Sequence, residues 1–179
     1  MMLENNEGTV IFRLSQKLND KIKVGWMGPM PLDENPLADW SAQLFAVGRT
    51  QYILLSNTKA LRSTVLAAKG ITSGADFVEI ALGGIQDVLE ADCHADVYER
   101  IVAPACSSIF YAKALNRSVT GSMNDMIKHA SYWLALGDVG MAEIGARLKE
   151  TPMSALGRVG SPYGFPRDVF DEIVAAAGA

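Results

Sequence analysis

The chain has 179 residues, 49% of them hydrophobic and 20% charged, and a formal net charge of −4. This length and composition exclude a disordered or fibrous protein and suit one domain that buries its own core. The apolar runs are too short to span a bilayer, and residues 1 to 8 are polar and acidic, unlike a secretory signal. We therefore expect residues 1–179 to form a single domain in the cytoplasm, with no membrane contact.

The first half of the chain carries most of the predicted strands. Residues 9–14 are rich in β-formers and predict a first strand, followed by a short helix over 17–23 and an irregular stretch. Residues 41–47 and 51–56 predict a β-hairpin, because a three-residue connection with a glycine joins them. Both strands are apolar at alternate and intervening positions, which is typical of strands in the middle of a covered sheet. Residues 62–67 predict one more strand.

The second half predicts amphipathic helices. Ser73 and Ser122 are predicted N-caps, because each precedes an apolar helical stripe and has an aspartate three residues later. Further helices are predicted over 95–102, from Asp138 to Glu150 and over 167–177, with an extended segment at 108–115 and a loop-rich segment at 151–166. The sequence thus predicts an α+β fold: a mostly antiparallel sheet with a central hairpin, covered by several amphipathic helices.

Candidate ligand-binding residues cluster around two predicted loops. Trp40 precedes a predicted central strand, Asn116 and Arg117 follow another strand, and Ser122 and Asn124 lie at a predicted helix start. If the two strands are antiparallel neighbours, these residues share one end of the sheet. Arginine and free helical amides suit an anion, and tryptophan offers a stacking face. We therefore expect this surface to bind a small anionic ligand or a protein partner.

No sequence motif indicates a catalytic or metal site. An enzyme using the same surface, with Asp39 or Asp125 as acid or base, is the alternative, and such a carboxylate needs a shifted pKa. His94 lies beside Cys93, but the spacing of zinc ligands is missing, so no metal and no cofactor are expected. Cys93 and Cys106 predict reduced thiols rather than a disulfide.

A DNA-binding regulator is a second alternative. Residues 142–148 resemble the first helix of a helix-turn-helix, and residues 153–159 are the candidate recognition helix. Lys149 and Glu150 occupy the turn, where a glycine and an apolar residue are usual, and the second segment contains glycines and few basic residues. The net charge of −4 also disfavours binding to phosphates, so nucleic acid is not the expected partner.

The same polar segments carry a family resemblance. The succession NPLADW, LLSNTKAL, NRSVTGSMND and ETPMSAL resembles an uncharacterised bacterial family whose members share N-P-L-x-D-W and N-R-S-V-x-G-S-M-N-D. The resemblance extends from Val10 to Leu156 and implies a bacterial cytoplasmic protein of similar fold. It implies no activity.

Random-sequence DNA should not be retained near physiological salt, because the net charge is −4 and no basic run compensates for it. Gel-shift titrations with random-sequence DNA at about 50 and about 200 mM salt measure this binding, because contacts to phosphates weaken steeply over that range. Tight binding that weakens steeply with salt would contradict the prediction and restore the DNA-binding alternative.

Overall fold

The computed structural model describes residues 8–178 and contains one five-stranded sheet. The strands are β1 (Val10–Leu14), β2 (Asp39–Val47), β3 (Thr50–Asn57), β4 (Ser63–Ala67) and β5 (Ile109–Ala112). Their order across the sheet is β4-β3-β2-β1-β5. The predicted hairpin is confirmed: β2 and β3 pair antiparallel from Trp40–Asn57 to Val47–Thr50, and both lie inside the sheet.

The sheet is mixed, so the prediction of a mostly antiparallel sheet was wrong. β1 pairs in parallel with both β2 and β5, whereas β3 pairs antiparallel with β2 and β4. Parallel neighbours need a long crossover connection. Residues 15–38 form one such connection between β1 and β2, and a long helical segment precedes β5. The α+β class itself is confirmed.

Five helices and several short helical turns cover the sheet in the described part of the chain. The helices are α1 (Gln16–Ile22), α2 (Gly74–Ala91), α3 (Arg117–Leu136), α4 (Met141–Leu148) and α5 (Pro166–Gly178). The turns are Pro36–Ala38, Ala95–Val97, Tyr98–Val102, Ala103–Ala105 and Ser154–Leu156. Within residues 8–178, no helix combines the length and apolarity that crossing a bilayer requires.

Each face of the sheet has its own apolar core. On one face, Phe12 and Trp40 pack with α1, α2 and α5, and the ring of Phe12 meets that of Phe77 edge to face at 5.2 Å between centroids. On the other face, Leu54 and Val65 pack against α3 and α4. This two-sided burial explains why the central strands carry apolar residues at successive positions.

The long helix α3 begins at Arg117, so the prediction that Ser122 caps it was wrong. The side chain of Asn116 is the cap and accepts a hydrogen bond from the Val119 amide at 2.9 Å. Ser122 is buried within the helix, and Gly121 before it is an exposed helical position. The earlier start is favoured because it adds Val119 to the buried stripe of α3. The cap predicted at Ser73 is confirmed, with a reciprocal bond to Asp76.

The segment after α4 does not form the second helix of a helix-turn-helix. α4 starts after Gly140 rather than at the predicted cap Asp138, and residues 154–156 make only a short turn. A narrow antiparallel ribbon follows, with a bridge between Arg158 and Ser161. At Gly157 the two backbone segments of this ribbon approach closely: a β-carbon there would stand 2.4 Å from the Pro162 carbonyl oxygen. The glycines of this segment thus serve a tight ribbon rather than a recognition helix.

A buried ion cluster around Asp92 ties three elements together. Its carboxylate accepts from Arg62 Nε at 2.6 Å and from Lys149 Nζ at 2.8 Å, and Arg62 also donates to the Gly145 carbonyl at 3.2 Å. The end of α2, the start of β4 and the end of α4 are thereby joined. Burial alone would raise the pKa of Asp92, but the bonds from Arg62 and Lys149 outweigh it and lower the pKa.

Replacing the cap residue tests the start of α3. Asn116→Ala should lower the free energy of unfolding by about 0.5–2 kcal/mol, because the Val119 amide loses its acceptor. Asn124→Ala, at an exposed position inside the same helix, should instead raise the free energy of unfolding by about 0.5 kcal/mol, because alanine has a higher helix propensity than asparagine. Urea denaturation compares the two. Equal effects of both variants would show that Asn116 does not cap the helix.

Acid titration of stability tests the Asp92 cluster. Since the folded pKa of Asp92 is lowered, its contribution is present at neutral pH and is lost as pH falls through the folded pKa. Asp92→Asn should therefore be less stable than wild type at pH 7, and the difference should shrink below pH of about 4. Asp87→Asn, an exposed change on α2, is the control. A difference between Asp92→Asn and wild type that stays constant down to acid pH would refute the assignment.

Candidate functional site

A cavity of about 330 Å³ opens where the parallel strands β1 and β5 end. We call it the strand-end cavity. Its polar lining comes from the end of β1, the start of α1, β2, the residue after β5 and the first turn of α3; the residues include Arg13, Gln16, Ser41, Gln43, Lys113 and Thr120. The carboxyl ends of parallel strands are a common position for ligand sites, because the chain leaves the sheet there in loops and helix starts.

The floor of the cavity contains the buried side chain of Arg13, which is held by Asp39. Two guanidinium nitrogens, Nε and Nη2, donate to the two carboxylate oxygens at 2.8 and 2.7 Å. Nη1 and Nη2 also donate to the carbonyl oxygens of Met30 and Pro31, respectively, both at 2.7 Å. Asp39 accepts a further bond from the Asp33 amide at 3.1 Å. The charge of Arg13 is neutralised by Asp39 and its nitrogens are hydrogen-bonded within the protein, so Arg13 shapes the cavity without offering a free charge.

Lys113 gives the cavity its charge. It lies directly after β5, is exposed, and is the one lining cation besides the neutralised Arg13; the lining contains no aspartate or glutamate. Lys17 and Arg117 follow the same strand ends nearby in the chain. Within residues 8–178, none of these three cations forms an ion pair. Apart from the partner of Arg13, one described carboxylate is bonded to the lining: Asp20 accepts a hydrogen bond from Gln16 at 2.7 Å, and the three cations outnumber it.

Trp40 does not lie beside this cavity. Its side chain is fully buried, its indole N–H donates to the Leu37 carbonyl at 2.8 Å, and its ring packs edge to face on Phe170. Gln43, three positions further along β2, contacts Met123 of α3 on the opposite face of the sheet. The strands that were expected to be antiparallel neighbours, β2 and β5, are instead separated by β1 and share its direction. Trp40 therefore offers no exposed stacking face.

The other predicted ligand residues all lie on or before α3. Asn116, Arg117 and Asn124 are exposed, and the last two lie on one helix face, seven residues apart. Ser122 is buried on the side of α3 that packs on the sheet. The side-chain oxygen of Asn116 is used by the cap. A ligand-binding role for these residues stays a prediction, and Arg117 is the nearest of them in sequence to the cavity lining.

The two carboxylates considered as acid or base are both engaged. Asp39 is buried and accepts three hydrogen bonds from Arg13 and Asp33. Asp125 is exposed, and its hydrogen bond with Lys128 lowers its pKa. The lowered pKa of Asp125 does not suit a group that exchanges a proton near neutral pH, and both oxygens of Asp39 are occupied by hydrogen bonds.

His94 is half-buried, and its Nε2 lies 3.3 Å from an Asp171 oxygen. Among residues 8–178, no group of three or more histidine, cysteine, aspartate or glutamate side chains is arranged to hold a metal ion.

Comparison with known families places the chain in one of them. The model of a family described as a domain of unknown function, DUF6933, matches residues 11–169. The chain belongs to this family. No curated protein and no solved structure matches it. The resemblance to an uncharacterised family, inferred from the four motifs, is confirmed, and the family description names no activity.

Inspection of the sequence missed the side chains that line the cavity in this DUF6933 chain. Lys113, Gln16 and Gln43 belong to no motif, and their convergence depends on β1 running parallel to both neighbours. The one indication in the sequence was that these polar residues lie directly after predicted strands or within them. The strand directions that make it informative were not predicted.

A larger cavity, of about 650 Å³, lies near the amino end of β2 against α5. Its lining includes two cations and two anions, namely Lys59, Arg158, Glu34 and Glu172. Arg158 and Glu172 are bonded to one another. The opposite charges balance, so this cavity has no preference for an anion, in contrast to the strand-end cavity.

Proposed function

We propose that the protein is a binding protein of the bacterial cytoplasm that holds a small anionic ligand in the strand-end cavity. The observation that carries the proposal is a concave site with an exposed lysine, Lys113, and no acidic side chain in its lining. Charge-assisted hydrogen bonds from an ammonium group to a carboxylate or phosphate are about twice as strong as neutral ones.

The start of α3 supports the same ligand charge. Val119 and Thr120, in its first turn, line the cavity, so the positive end of the helix dipole is directed to this part of the surface. The helix has 20 residues, and the amides of Val119 and Thr120 are already bonded to Asn116, so the helix start contributes through its dipole rather than through free amides. Arg117, exposed at the first helical position, is three residues from Thr120 of the lining, and the proposal includes a bidentate contact from its guanidinium to the anion.

The remaining lining sets the size and polarity of the ligand. Met27, Val119 and Met123 contribute apolar surface, while Gln16 and Gln43 contribute amide groups. A volume of about 330 Å³ is at the small end of ligand cavities. The ligand is therefore a small molecule with an anionic group and a less polar body, rather than a bare ion alone.

Lys113→Ala tests the proposed site. Inorganic phosphate and a small carboxylate such as acetate are titrated into the wild-type protein and the variant by calorimetry at low ionic strength. The variant should bind at least about ten-fold more weakly, because it loses a hydrogen bond to a charged group. Lys69→Ala removes an exposed lysine beyond β4, at the other edge of the sheet, and should bind like wild type. Equal affinities of the Lys113 and Lys69 variants, or no anion binding by wild type, would reject the proposal.

A further inference from the structure

Trp26 is 88% exposed, although it is the side chain that gains most from burial. It lies in the loop between α1 and the turn that precedes β2. Within the described part of the chain it is the most exposed of the large aromatic residues. The anion-binding function proposed above does not involve the Trp26 side chain.

The backbone around Trp26 is anchored on both sides. The Gly25 carbonyl accepts a hydrogen bond from the Asn19 side chain at 2.7 Å, and the side chain of Met27 is buried in the core. Gly28 pairs with Ala112 of β5, and its carbonyl accepts the Lys113 amide at 3.0 Å. The exposed indole is thus displayed by a fixed stretch of chain rather than by a loose one.

Gly28 sets the position of the indole. The six-membered ring occupies the space of a side chain at position 28, with its Cη2 atom 2.8 Å from where a β-carbon would stand. Any larger residue there would push the ring away. Because Gly28 also pairs with the strand end that carries Lys113, Trp26 and Lys113 stand on adjoining chain segments, and Met27, next to Trp26 in the chain, lines the cavity together with Lys113.

The ring and the cation are neighbours without touching. Among the described residues, the cation–π contact is that of Arg147 with Trp133, and none joins Lys113 to Trp26. The lysine ammonium therefore does not lie over the face of the indole, and both groups are available to a ligand. A ligand that uses both needs a planar ring, an anionic group and a spacer between them.

We propose that the ligand of the strand-end cavity is of the nucleoside monophosphate class, with its base stacked on Trp26 and its phosphate bound by Lys113. The assignment rests on the proposed anion-binding function. A base is flat and stacks well on an exposed indole, and the sugar supplies the spacer. A benzoate-like anion, in which the charge is attached directly to the ring, lacks that reach.

Three probes separate the contributions: adenosine monophosphate, ribose 5-phosphate and inorganic phosphate. Binding is followed by calorimetry and by tryptophan fluorescence, in which the difference between wild type and Trp26→Leu gives the signal of Trp26. Wild type should bind adenosine monophosphate about five- to 150-fold more tightly than ribose 5-phosphate, which is the range expected for one stacked base. Trp26→Leu and Gly28→Ala should both remove this preference while retaining ribose 5-phosphate affinity. Tyr132→Leu, a change at an exposed aromatic of α3, should leave it intact.

The outcomes distinguish the two proposals. Ribose 5-phosphate binding that depends on Lys113, with no added affinity for adenosine monophosphate, would overturn the nucleotide assignment and leave the anion site standing. A preference for the base that survives in Trp26→Leu would overturn it as well. If wild type self-associates and Trp26→Leu is monomeric by sedimentation, Trp26 is a contact between copies and the assignment is wrong. If no phosphate-bearing probe binds, both proposals fail.

Discussion

The ion pair between Arg13 and Asp39 is the contact on which the arrangement of the sheet depends. Arg13 lies on β1 and Asp39 begins β2, and the guanidinium also holds the carbonyl oxygens of residues 30 and 31. One side chain thereby fixes two parallel strands and the long connection between them. Removing one partner of a buried pair typically costs about 3–5 kcal/mol, because the other is left charged and unpaired. In this protein both partners are almost fully buried and completely bonded.

The strand-end cavity is a consequence of that arrangement. Because β1 runs parallel to β2 and β5, the chain leaves β1 and β5 at the same end of the sheet and enters α1 and α3 there. The antiparallel strands β3 and β4 extend the sheet on the other side of β2 and contribute the burial that holds α2 and α4. The parallel half thus supplies the candidate site, and the antiparallel half supplies stability.

Local signals in the sequence predicted local structure well. The glycine loop and the two-sided apolar strands predicted the hairpin of β2 and β3, and Ser73 with Asp76 predicted the start of α2. Pairings between distant segments were not predictable in the same way, since β1 carries no mark of the direction of its neighbours. Trp40 was therefore assigned to the wrong surroundings. Asn116 was overlooked as a cap because Ser122, with Asp125 three residues later, carried the clearer capping pattern.

Much of the NPLADW motif is accounted for by folding. Asn35 caps a short turn, Leu37 is buried and accepts the Trp40 indole N–H, and Asp39 holds Arg13. The polar residues of this motif, which suggested a ligand-binding site, form hydrogen bonds within the protein instead. The groups that remain open, Lys113 and Arg117, lie around the NRSVTGSMND segment and the strand that precedes it. The open cations of the candidate site therefore lie next to or within the second motif rather than the first.

Backbone and side-chain amide NMR during a titration with inorganic phosphate tests the position of the site most directly. If the strand-end cavity is the anion site, the largest shifts fall on the amides of residues 113–120 and on the side-chain amides of Gln16 and Gln43, which line it or adjoin it. Shifts concentrated instead at residues 34–36, at Lys59 and along α5, around the larger cavity, would contradict the account.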